Sequence, residues 1–476
     1  MLILNSKSNT IMKTRNSLYI LIFTVLLSSC DFSLDQNPIT EKDGDKFYKT
    51  EVEIEEAVTG AYSMLRGNGL YGTNMPVLGE IPSDNTFDEV PANDGGNYGE
   101  LDEFTTIPTN SVISSNWRES YRTIQRCNTV LNRITDIAFK NEEVKINRMG
   151  EMKFIRGLMY FNMVRLFGDV PLVITETTDV NDHFGQGRTD LNLIYEQIII
   201  DLEEAIEELP VKGDMDGRVE KGAAQTLLAK VYLTLDDKVN AKKYLDEVIN
   251  SNQYQLLEKG EEVFTIANKG NAEVIFAAKF ASGINGNAMG SQYYRMCSPS
   301  GHFAGGKGHN IPTQQLYNLY DDNDARKDQF VLPVETIYYV SGKMEAPVTD
   351  QNDCGSDYVI LRYADVVLMS AEIENALGNT SLALERLNSI RRRSNVSEVT
   401  STTDLEAVIA EERRLELVGE GHRWFDLLRT GKAIEVMNAH FEERGQNITV
   451  PEFRLLMPIP QSQIDTDPAI KQNPGY

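Results

Sequence analysis

The stretches AKVYLTLDDKVNAKKYLDEVI (residues 229–249) and AEIENALGNTSLALERLNSIR (residues 371–391) share one pattern of apolar positions. In each, the pattern predicts a helix, a tight polar turn and a second helix, with small alanines where the helices meet. Because alanine lets two helices approach closely, the pattern favours helical hairpins of the tetratricopeptide type over two amphipathic hairpins that share only generic patterning. The matching pairs are Ala229 and Ala371, Val231 and Ile373, Leu235 and Leu377, Ala241 and Ala383, and Leu245 and Leu387.

Most of the remaining regular structure is also predicted to be helical. Two isolated repeats do not form a solenoid, so further degenerate hairpins are expected among residues 114–209. Asp190 is placed to cap one of these helices and Pro210 to end it. EVIFAAKF (273–280) predicts a short strand. Apolar periodicity predicts helices near 51–66, 114–138, 142–167, 190–209, 356–395 and 404–439.

Two long segments, 67–112 and about 262–360, lack regular periodicity apart from that strand. Both are rich in glycine and polar residues, with aromatic residues interspersed. Loops longer than about 15 residues in a compact domain are usually functional or disordered. The aromatic residues favour function, so these segments are the expected location of a ligand site.

The N-terminus has the parts of a secretory signal. Basic Lys13 and Arg15 precede an apolar run over 18–27, and the small residues Ser28 and Ser29 lead directly to Cys30. The run is too short for a bilayer-spanning helix, which needs about 20 residues. An ordinary signal peptide or a membrane anchor is the alternative, but the cysteine after small residues resembles the lipobox of bacterial lipoproteins.

Cys30 is therefore the predicted lipidation site. A signal peptide over 1–29, a lipidated tether over 30–50 and a folded body over 51–476 follow from it. Translation can begin at Met1 or at Met12, which directly precedes the basic residues.

The chain is acidic. Its formal net charge is −25, and removal of the basic presequence leaves 43 basic and 71 acidic residues, a net charge near −28. Such a charge repels nucleic acid, so nucleic-acid binding is not expected. It also disfavours polyanionic ligands, although a local basic site could override it.

Three cysteines follow Cys30, and an odd number does not define a disulfide framework. Cys127 is in helical register with apolar residues and is expected to be buried. Cys297 and Cys354 fall in loop-rich sequence. They are a possible disulfide in an oxidising compartment, which spacing alone cannot decide.

Several blocks together resemble the SusD/RagB family of outer-membrane lipoproteins. They are LDQNP (34–38), AVTGAYSML (57–65), NWRESYRTIQRCNTVLNRI (116–134), EMKFIRGLMYFNMVRLFGDVPLV (151–173), GRVEKGAAQTLLAKVYL (217–233), LRYADVVLMSAEIENALGN (361–379), EERRLELVGEGHRWFDLLRTG (411–431), LMPIPQSQI (456–464) and QNPGY (472–476). Their order is that of the family, and they span nearly the whole chain.

The resemblance implies a mainly α, SusD-like fold with tetratricopeptide-like hairpins and long irregular loops on the ligand face. It implies an N-terminal SusD-like part over about 51–260 and a C-terminal RagB/SusD part over about 261–476. It also implies a SusC-like TonB-dependent transporter as partner, nutrient uptake at the outer membrane, and a position facing the cell exterior. The implied ligand is a glycan, or a peptide as in RagB-like members.

No enzymatic site is expected. EGHRWFDLLR (420–429) contains His422 and Asp426, with Glu416 nearby, which resembles an acid/base group. Ion pairing along one helix is the favoured interpretation, because the same stretch supplies several arginines at pairing distances. The aspartates of DDNDARKD (321–328) do not fit a calcium loop, so neither a metal nor a cofactor is expected.

Aromatic rings can stack on the flat faces of sugars, and amide, carboxylate and guanidinium groups can bind hydroxyls. Both tryptophans fall in the family's helical blocks, and Trp117 is expected in the core. The loops therefore contain tyrosine and phenylalanine but no tryptophan, and a peptide remains an alternative to a glycan as the ligand. The ligand-binding candidates are Tyr71, Asn74, Asp84, Asn85, Phe87 and Tyr98 in the first segment, and Tyr293, Tyr294, Arg295, His302 and Phe303 in the second.

Overall fold

The computed structural model describes residues 47–179, 181–284, 289–301, 305–334, 338–345 and 350–476. The chain divides into two units, Met1–Lys49 and Thr50–Tyr476. Of the first unit only 47–49 are described. Cys30, the predicted signal peptide and residues 30–46 of the predicted tether therefore lie outside the described residues. None of the helices in the described ranges is long and apolar enough to cross a membrane.

The second unit is mainly helical. Its helices are α1 (Glu51–Met64), α2 (Asn74–Glu80), α3 (Gly99–Asp102), α4 (Ser111–Arg133), α5 (Glu142–Phe167), α6 (Leu191–Glu208), α7 (Lys221–Thr234), α8 (Lys238–Asn250), α9 (Tyr293–Met296), α10 (Gln314–Leu319), α11 (Lys327–Phe330), α12 (Tyr363–Ala376), α13 (Thr380–Arg393), α14 (Leu405–Glu416), α15 (Arg423–Arg429), α16 (Ala433–Glu443) and α17 (Gln461–Thr466).

Six short strands form three antiparallel pairs among the described residues. They are β1 (Thr86–Phe87), β2 (Val274–Ala278), β3 (Ile311–Pro312), β4 (Val331–Val334), β5 (Tyr338–Ser341) and β6 (Tyr358–Arg362). β1 pairs with β3, β2 with β6 and β4 with β5. The predicted strand over 273–280 is confirmed as β2.

The two repeats form the predicted hairpins, α7–α8 and α12–α13, which lie side by side because α8 packs against α12. Four of the five matched pairs are buried, including the alanines at the helix contacts. The fifth pair is not, since Leu235 and Leu377 lie at the ends of α7 and α12 and are 38% and 41% exposed. The shared apolar pattern therefore predicts which residues are buried between the helices of each hairpin, but not the exposure of the residues next to the turn.

The other helices extend this array. α4 packs on α5, α5 on α6 and α6 on α7, which agrees with the expected hairpins among 114–209. The predicted cap at the start of α6 is present, since the Asp190 side chain accepts from the Asn192 N–H at 2.9 Å. α4 is amphipathic and buries Trp117 and Cys127. The helices from α4 to α8, together with α12 and α13, therefore form one continuous packed array.

Two predicted helices differ from the structure. The 356–395 prediction begins in β6, because the apolar run YVILR pairs with β2. The 404–439 prediction is interrupted twice, since Gly419, Gly421 and Gly431 have φ of +77°, +73° and +67°. Those left-handed values end a helix and suit glycine.

The remaining cysteines are buried free thiols. Cys297 and Cys354 do not form the disulfide that was left open, and the Cys297 sulfur instead accepts from the Asn310 amide at 3.5 Å. Burial raises the pKa of Cys297 to about 12, so the thiol stays protonated and unreactive.

Candidate functional site

A cleft of about 400 Å³ lies between the two irregular segments. The β1–β3 pair joins the segments, placing Thr86 opposite Pro312. Beyond that pair, the Glu89 N–H donates to the Gly308 carbonyl at 2.8 Å. The lining residues are Asn68, Thr73, Asn74, Tyr98, Ser111, Val112, Ser114, Ser115, Arg118, Gln292, Arg295, Met296 and Lys307. Most carry hydroxyl, amide or cationic groups, so the cleft is built to hydrogen-bond a polar ligand.

Tyr98 is the aromatic residue of the cleft, and its ring is held by stacking. It lies on the His309 imidazole with centroids 4.4 Å apart. His309 is itself fixed between two carboxylates, with Nδ1 3.0 Å from Asp88 Oδ1 and Nε2 2.9 Å from Asp94 Oδ2. Burial raises the pKa of Tyr98 to about 12, so its hydroxyl remains a hydrogen-bond donor at neutral pH.

Arg295 and Asn74 face the cleft from opposite segments. The Arg295 Nε donates to the Gly305 carbonyl at 3.0 Å, and its Nη1 donates to the side-chain amide oxygen of Asn352. Asn74 Nδ2 donates to Ser115 Oγ at 2.9 Å, which ties α2 to α4. Neutral partners fix both side chains, so the charge of Arg295 is not cancelled within the described residues.

Tyr71 and Tyr293, predicted as ligand contacts, do not line the cleft. They are 4% and 1% exposed, and both rings pack against Tyr358, at 5.7 and 5.5 Å between centroids. Their hydroxyls find internal partners, since Tyr71 accepts from Asn162 and Tyr293 donates to the Gly419 carbonyl. Burial of such large rings stabilises the loops, which is the alternative to a role in ligand contact.

Asp84 and Asn85 are also buried, and they fasten the first segment to the C-terminal helices. The Asp84 carboxylate lies 2.9 Å from Arg414 Nη1 and 2.7 Å from Arg423 Nε. Arg414 Nε also donates to Asn85 Oδ1 at 2.8 Å. Burial opposes ionisation of Asp84, but the two guanidiniums overcome it and hold its pKa at about 2. These two residues are structural here.

The other candidates lie near the cleft or outside the described residues. Phe87 is half-buried beneath the Arg444 guanidinium, 4.9 Å from the ring centroid. Tyr294 is buried on α9, beside the cleft-lining Arg295. His302 and Phe303 lie outside the described residues. Of the predicted residues, the cleft thus brings together Asn74, Tyr98 and Arg295.

Sequence reasoning missed several lining residues. Arg118, Ser111 and Ser115 belong to a helix that was interpreted as scaffold. The available signal was amphipathicity, because all three lie on the polar face, opposite Trp117 and Cys127. Which polar face meets a loop depends on the tertiary fold and is not visible in the periodicity.

The acid/base interpretation of EGHRWFDLLR is not supported by the geometry. α14 ends at Glu416 and α15 begins at Arg423, so the predicted single helix is wrong. His422 Nδ1 lies 3.0 Å from Lys230 Nζ, and burial with this cation lowers its pKa to about 3. Asp426 receives the Arg429 Nε at 2.8 Å, so it acts in an ion pair. The favoured ion-pairing interpretation agrees with these contacts.

A second groove, about 790 Å³, lies between α14 and the α15–α16 pair. It is larger than the cleft, and the buried Leu405 and Ile409 are among its lining residues. Two of its arginines are already paired, since Arg413 lies 2.8 Å from Asp365 and Arg429 contacts Glu372. It also touches neither irregular segment, so the smaller polar cleft is the better candidate site.

Glu80, in α2 of the first irregular segment, makes the stability of the fold depend on pH. It is fully buried, its Oε1 accepts from the Gly421 N–H at 3.0 Å, and burial raises its pKa to about 7. The folded state therefore binds this proton more tightly than the unfolded state. Its stabilising effect is complete below the unfolded pKa of 4.5 and is lost as pH rises through about 7.

Between pH 5 and 8 the free energy of unfolding of the wild type should fall because Glu80 ionises. We expect this fall to be at least about 1 kcal/mol smaller in Glu80→Gln, since one pKa unit corresponds to about 1.4 kcal/mol. Urea unfolding at several pH values measures it, with the exposed Glu435→Gln as control. Parallel profiles for wild type and Glu80→Gln would show that Glu80 ionises equally in both states.

The helical array and its loop-built polar cleft define a ligand-binding protein on a tetratricopeptide-like scaffold. Two family models match the sequence, one described as "SusD family" over 328–476 and one as "Starch-binding associating with outer membrane" over 34–233. The chain belongs to the SusD/RagB family. The resemblance found in the sequence is thereby confirmed, and so is the mainly α, SusD-like fold. The description of the second family model also indicates an association with the outer membrane.

Individual relatives span nearly the whole chain. A SusD-like protein of Formosa agariphila is 25% identical over 98% of this chain and 100% of its own length. A solved laminarin-binding SusD-like protein has a TM-score of 0.77 at 29% identity, covering 90% of this chain and 100% of that one. Surface glycan-binding protein A of Bacteroides thetaiotaomicron, solved with laminarihexaose, has a TM-score of 0.74 at 22% identity, covering 89% and 100%.

The names of these solved relatives describe binding and not catalysis. Family membership therefore makes this chain a binding protein rather than an enzyme, as the sequence predicted.

Proposed function

We propose that this protein is a lipid-anchored receptor on the cell surface that binds oligo- or polysaccharides in the cleft and delivers them to a SusC-like TonB-dependent transporter. The cleft carries the proposal, because one held aromatic ring and convergent hydroxyl, amide and guanidinium groups suit a polyhydroxylated ligand. The laminarin-binding name of a relative at 29% identity supports the same ligand class.

The anchor in this proposal is a lipid on Cys30. The argument is the basic region, the short apolar run and the small residues that precede this cysteine. The folded unit begins at Thr50, so about 20 residues separate it from the lipid and span at most about 70 Å when extended. Palmitate labelling of the wild-type chain, lost in Cys30→Ser, tests the anchor.

The transporter partner rests on the family resemblance. Its test is co-purification of the full chain with a TonB-dependent transporter from outer membranes. Recovery of the chain alone from gently solubilised membranes would count against the delivery step while leaving ligand binding in place.

Ligand binding is tested by calorimetric titration of the full chain in a polyoxyethylene detergent, which presents no sugar headgroup. The titrants are laminarin, other polysaccharides and mixed short peptides. Saturable heat with a glycan and no product formation supports the proposal. Heat with peptides alone would replace it with RagB-like peptide capture, which the same fold accommodates.

We expect Tyr98→Ala to weaken glycan binding about tenfold, equivalent to about 1.4 kcal/mol, because it removes the aromatic surface of the cleft. Tyr98→Phe keeps the ring and its stacking on His309 and should retain most of the affinity. Equal affinities for Tyr98→Ala and wild type would remove Tyr98 from the site. Tyr98 is itself only 9% exposed, so circular dichroism melts must show that Tyr98→Ala is folded. Tyr293→Ala is not used, because Tyr293 does not line the cleft.

A further inference from the structure

One face of α4 continues from the cleft along the outside of the molecule. Ser111, Ser115 and Arg118 line the cleft, at helix positions i, i+4 and i+7. Arg122 and Arg126 follow at i+11 and i+15, within an arc of about 80° of the same face. All three arginines are exposed. Successive arginines are about 6 Å apart along the helix axis, so they form a strip leading out of the cleft.

These arginines lack carboxylate partners among the described residues. No ion pair or hydrogen bond joins Arg118, Arg122 or Arg126 to another residue in the described ranges, although the Arg126 guanidinium lies against Gly60 of α1. The only acid in α4 is Glu119, whose Oε2 already accepts from the Gly69 N–H at 2.8 Å. We name Arg118, Arg122 and Arg126 the basic strip.

The opposite wall of the cleft repeats this pattern. Arg295 is held by the Gly305 carbonyl and the Asn352 amide, which are both neutral. Lys307 is different, because its Nζ lies 2.7 Å from Asp94. The residues that line the cleft include three cations and no acid. Arg118 and Arg295 thus present two guanidiniums to the same space without a neutralising carboxylate.

This arrangement is unusual for the chain. Its 71 acidic residues outnumber its 46 basic ones, and buried arginines such as Arg148 and Arg362 are surrounded by carboxylates. An acidic protein repels anions over its surface as a whole, so unpaired guanidiniums create a local exception. A guanidinium donates paired N–H groups to the oxygens of a carboxylate or a sulfate, and a neutral sugar has no such pair of anionic acceptors.

We infer that the ligand of this cleft is an anionic glycan, a polysaccharide bearing carboxylate or sulfate groups. Arg118 and Arg295 bind its acidic groups inside the cleft, and Arg122 and Arg126 contact the part of the chain that extends beyond it. This inference rests on the proposed glycan-binding function and narrows it, since laminarin-like neutral glucans lack the acidic groups.

The test compares charged and neutral polymers with the same backbone. The full chain in polyoxyethylene detergent is titrated with polygalacturonate against its methyl ester, and with dextran sulfate against dextran. The first pair represents carboxylates and the second sulfates. We expect the charged member of at least one pair to bind at least about tenfold more tightly at low salt, with the difference shrinking steeply as salt rises.

Two double variants locate the effect. Arg118→Gln with Arg295→Gln should weaken binding of the charged polymer at least about tenfold and reduce its salt dependence. Arg122→Gln with Arg126→Gln should weaken long polymers about threefold while leaving short oligosaccharides unchanged. The matched control is Arg392→Gln with Lys432→Gln, at exposed positions paired with Glu398 and Glu435, which removes the same two charges elsewhere. Circular dichroism melts confirm that each variant is folded.

The outcomes separate this inference from the proposed function. Equal affinity for charged and neutral members, or tighter laminarin binding, would leave glycan binding in place and overturn the anionic ligand. An equal loss in the Arg392→Gln, Lys432→Gln control would mean that net charge, and not these arginines, attracts the polymer, which also overturns the inference. Tighter binding of polyglutamate than of every glycan, or no binding by any polysaccharide, would overturn both proposals.

Discussion

Arg362→Met is expected to destabilise the protein by about 3–5 kcal/mol, because it removes one partner from a buried set of charges. Arg362 ends β6 and is 1% exposed. Its guanidinium lies 2.8 Å from Glu273, 2.8 Å from Glu416 and 2.7 Å from Glu420. The variant leaves these carboxylates in the interior with fewer positive partners.

The remaining cations cannot fully replace it. Arg326 and Arg393 also contact Glu416, and Lys343 contacts Glu420. Burial opposes the ionisation of Glu416, yet the surrounding guanidiniums hold its pKa well below the usual range. Replacing a whole buried ion set by apolar residues is often neutral, but removing a single partner is not. The expected cost is therefore that of uncompensated buried charge.

Urea denaturation of wild type and variant measures this change from the shift of the midpoint at constant slope. Arg392→Met is the control, since its pair with Glu398 is exposed and contributes at most about 0.5 kcal/mol. A loss below about 1 kcal/mol in Arg362→Met would show that water or a rearranged side chain compensates the cluster.

The helical part of this fold was predictable where local signals agreed. The prediction for 142–167 matches α5, because Asn141 caps its start and Gly168, at φ +69°, ends it. The hairpins were predictable because each alanine contact depends on residues close in sequence. Local patterning fails at 358–362, since a short apolar run has no period that distinguishes a buried strand from a helix. Only pairing with β2, about 80 residues earlier, makes it a strand.

The cleft was less predictable than the scaffold. Both irregular segments were expected to contribute to the ligand site, and the β1–β3 pairing joins them. Yet Tyr71, Tyr98 and Tyr293 look alike in sequence, and only Tyr98 reaches the cleft. Tyr358 decides the difference, because it packs against the other two rings from a distant part of the chain. Burial of a loop aromatic is a tertiary property that composition does not encode.

Asp84→Asn should destabilise the protein by about 2–3 kcal/mol, because it leaves two partly buried guanidiniums without their counter-charge. The lowering of the Asp84 pKa from 3.8 to about 2 corresponds to about 2.5 kcal/mol. Asp84 joins the first irregular segment to Arg414 on α14 and Arg423 on α15. The asparagine keeps the size of the side chain, so the loss reports charge and not packing. Because the same segment carries Tyr98, glycan affinity should fall as well.

The pH dependence distinguishes this mechanism from a general loss of packing. The pKa of Asp84 is lowered from 3.8 to about 2 in the folded state, so its contribution is present above 3.8 and is lost as pH falls through about 2. The gap between wild type and Asp84→Asn should therefore be constant from pH 7 to about 4 and narrow at lower pH. Asp322→Asn is the control, as its carboxylate is exposed beside Lys327 and should leave the unfolding midpoint unchanged. A gap that persists undiminished in acid would mean that the variant disturbs packing, and Asp84 would then not act through its charge.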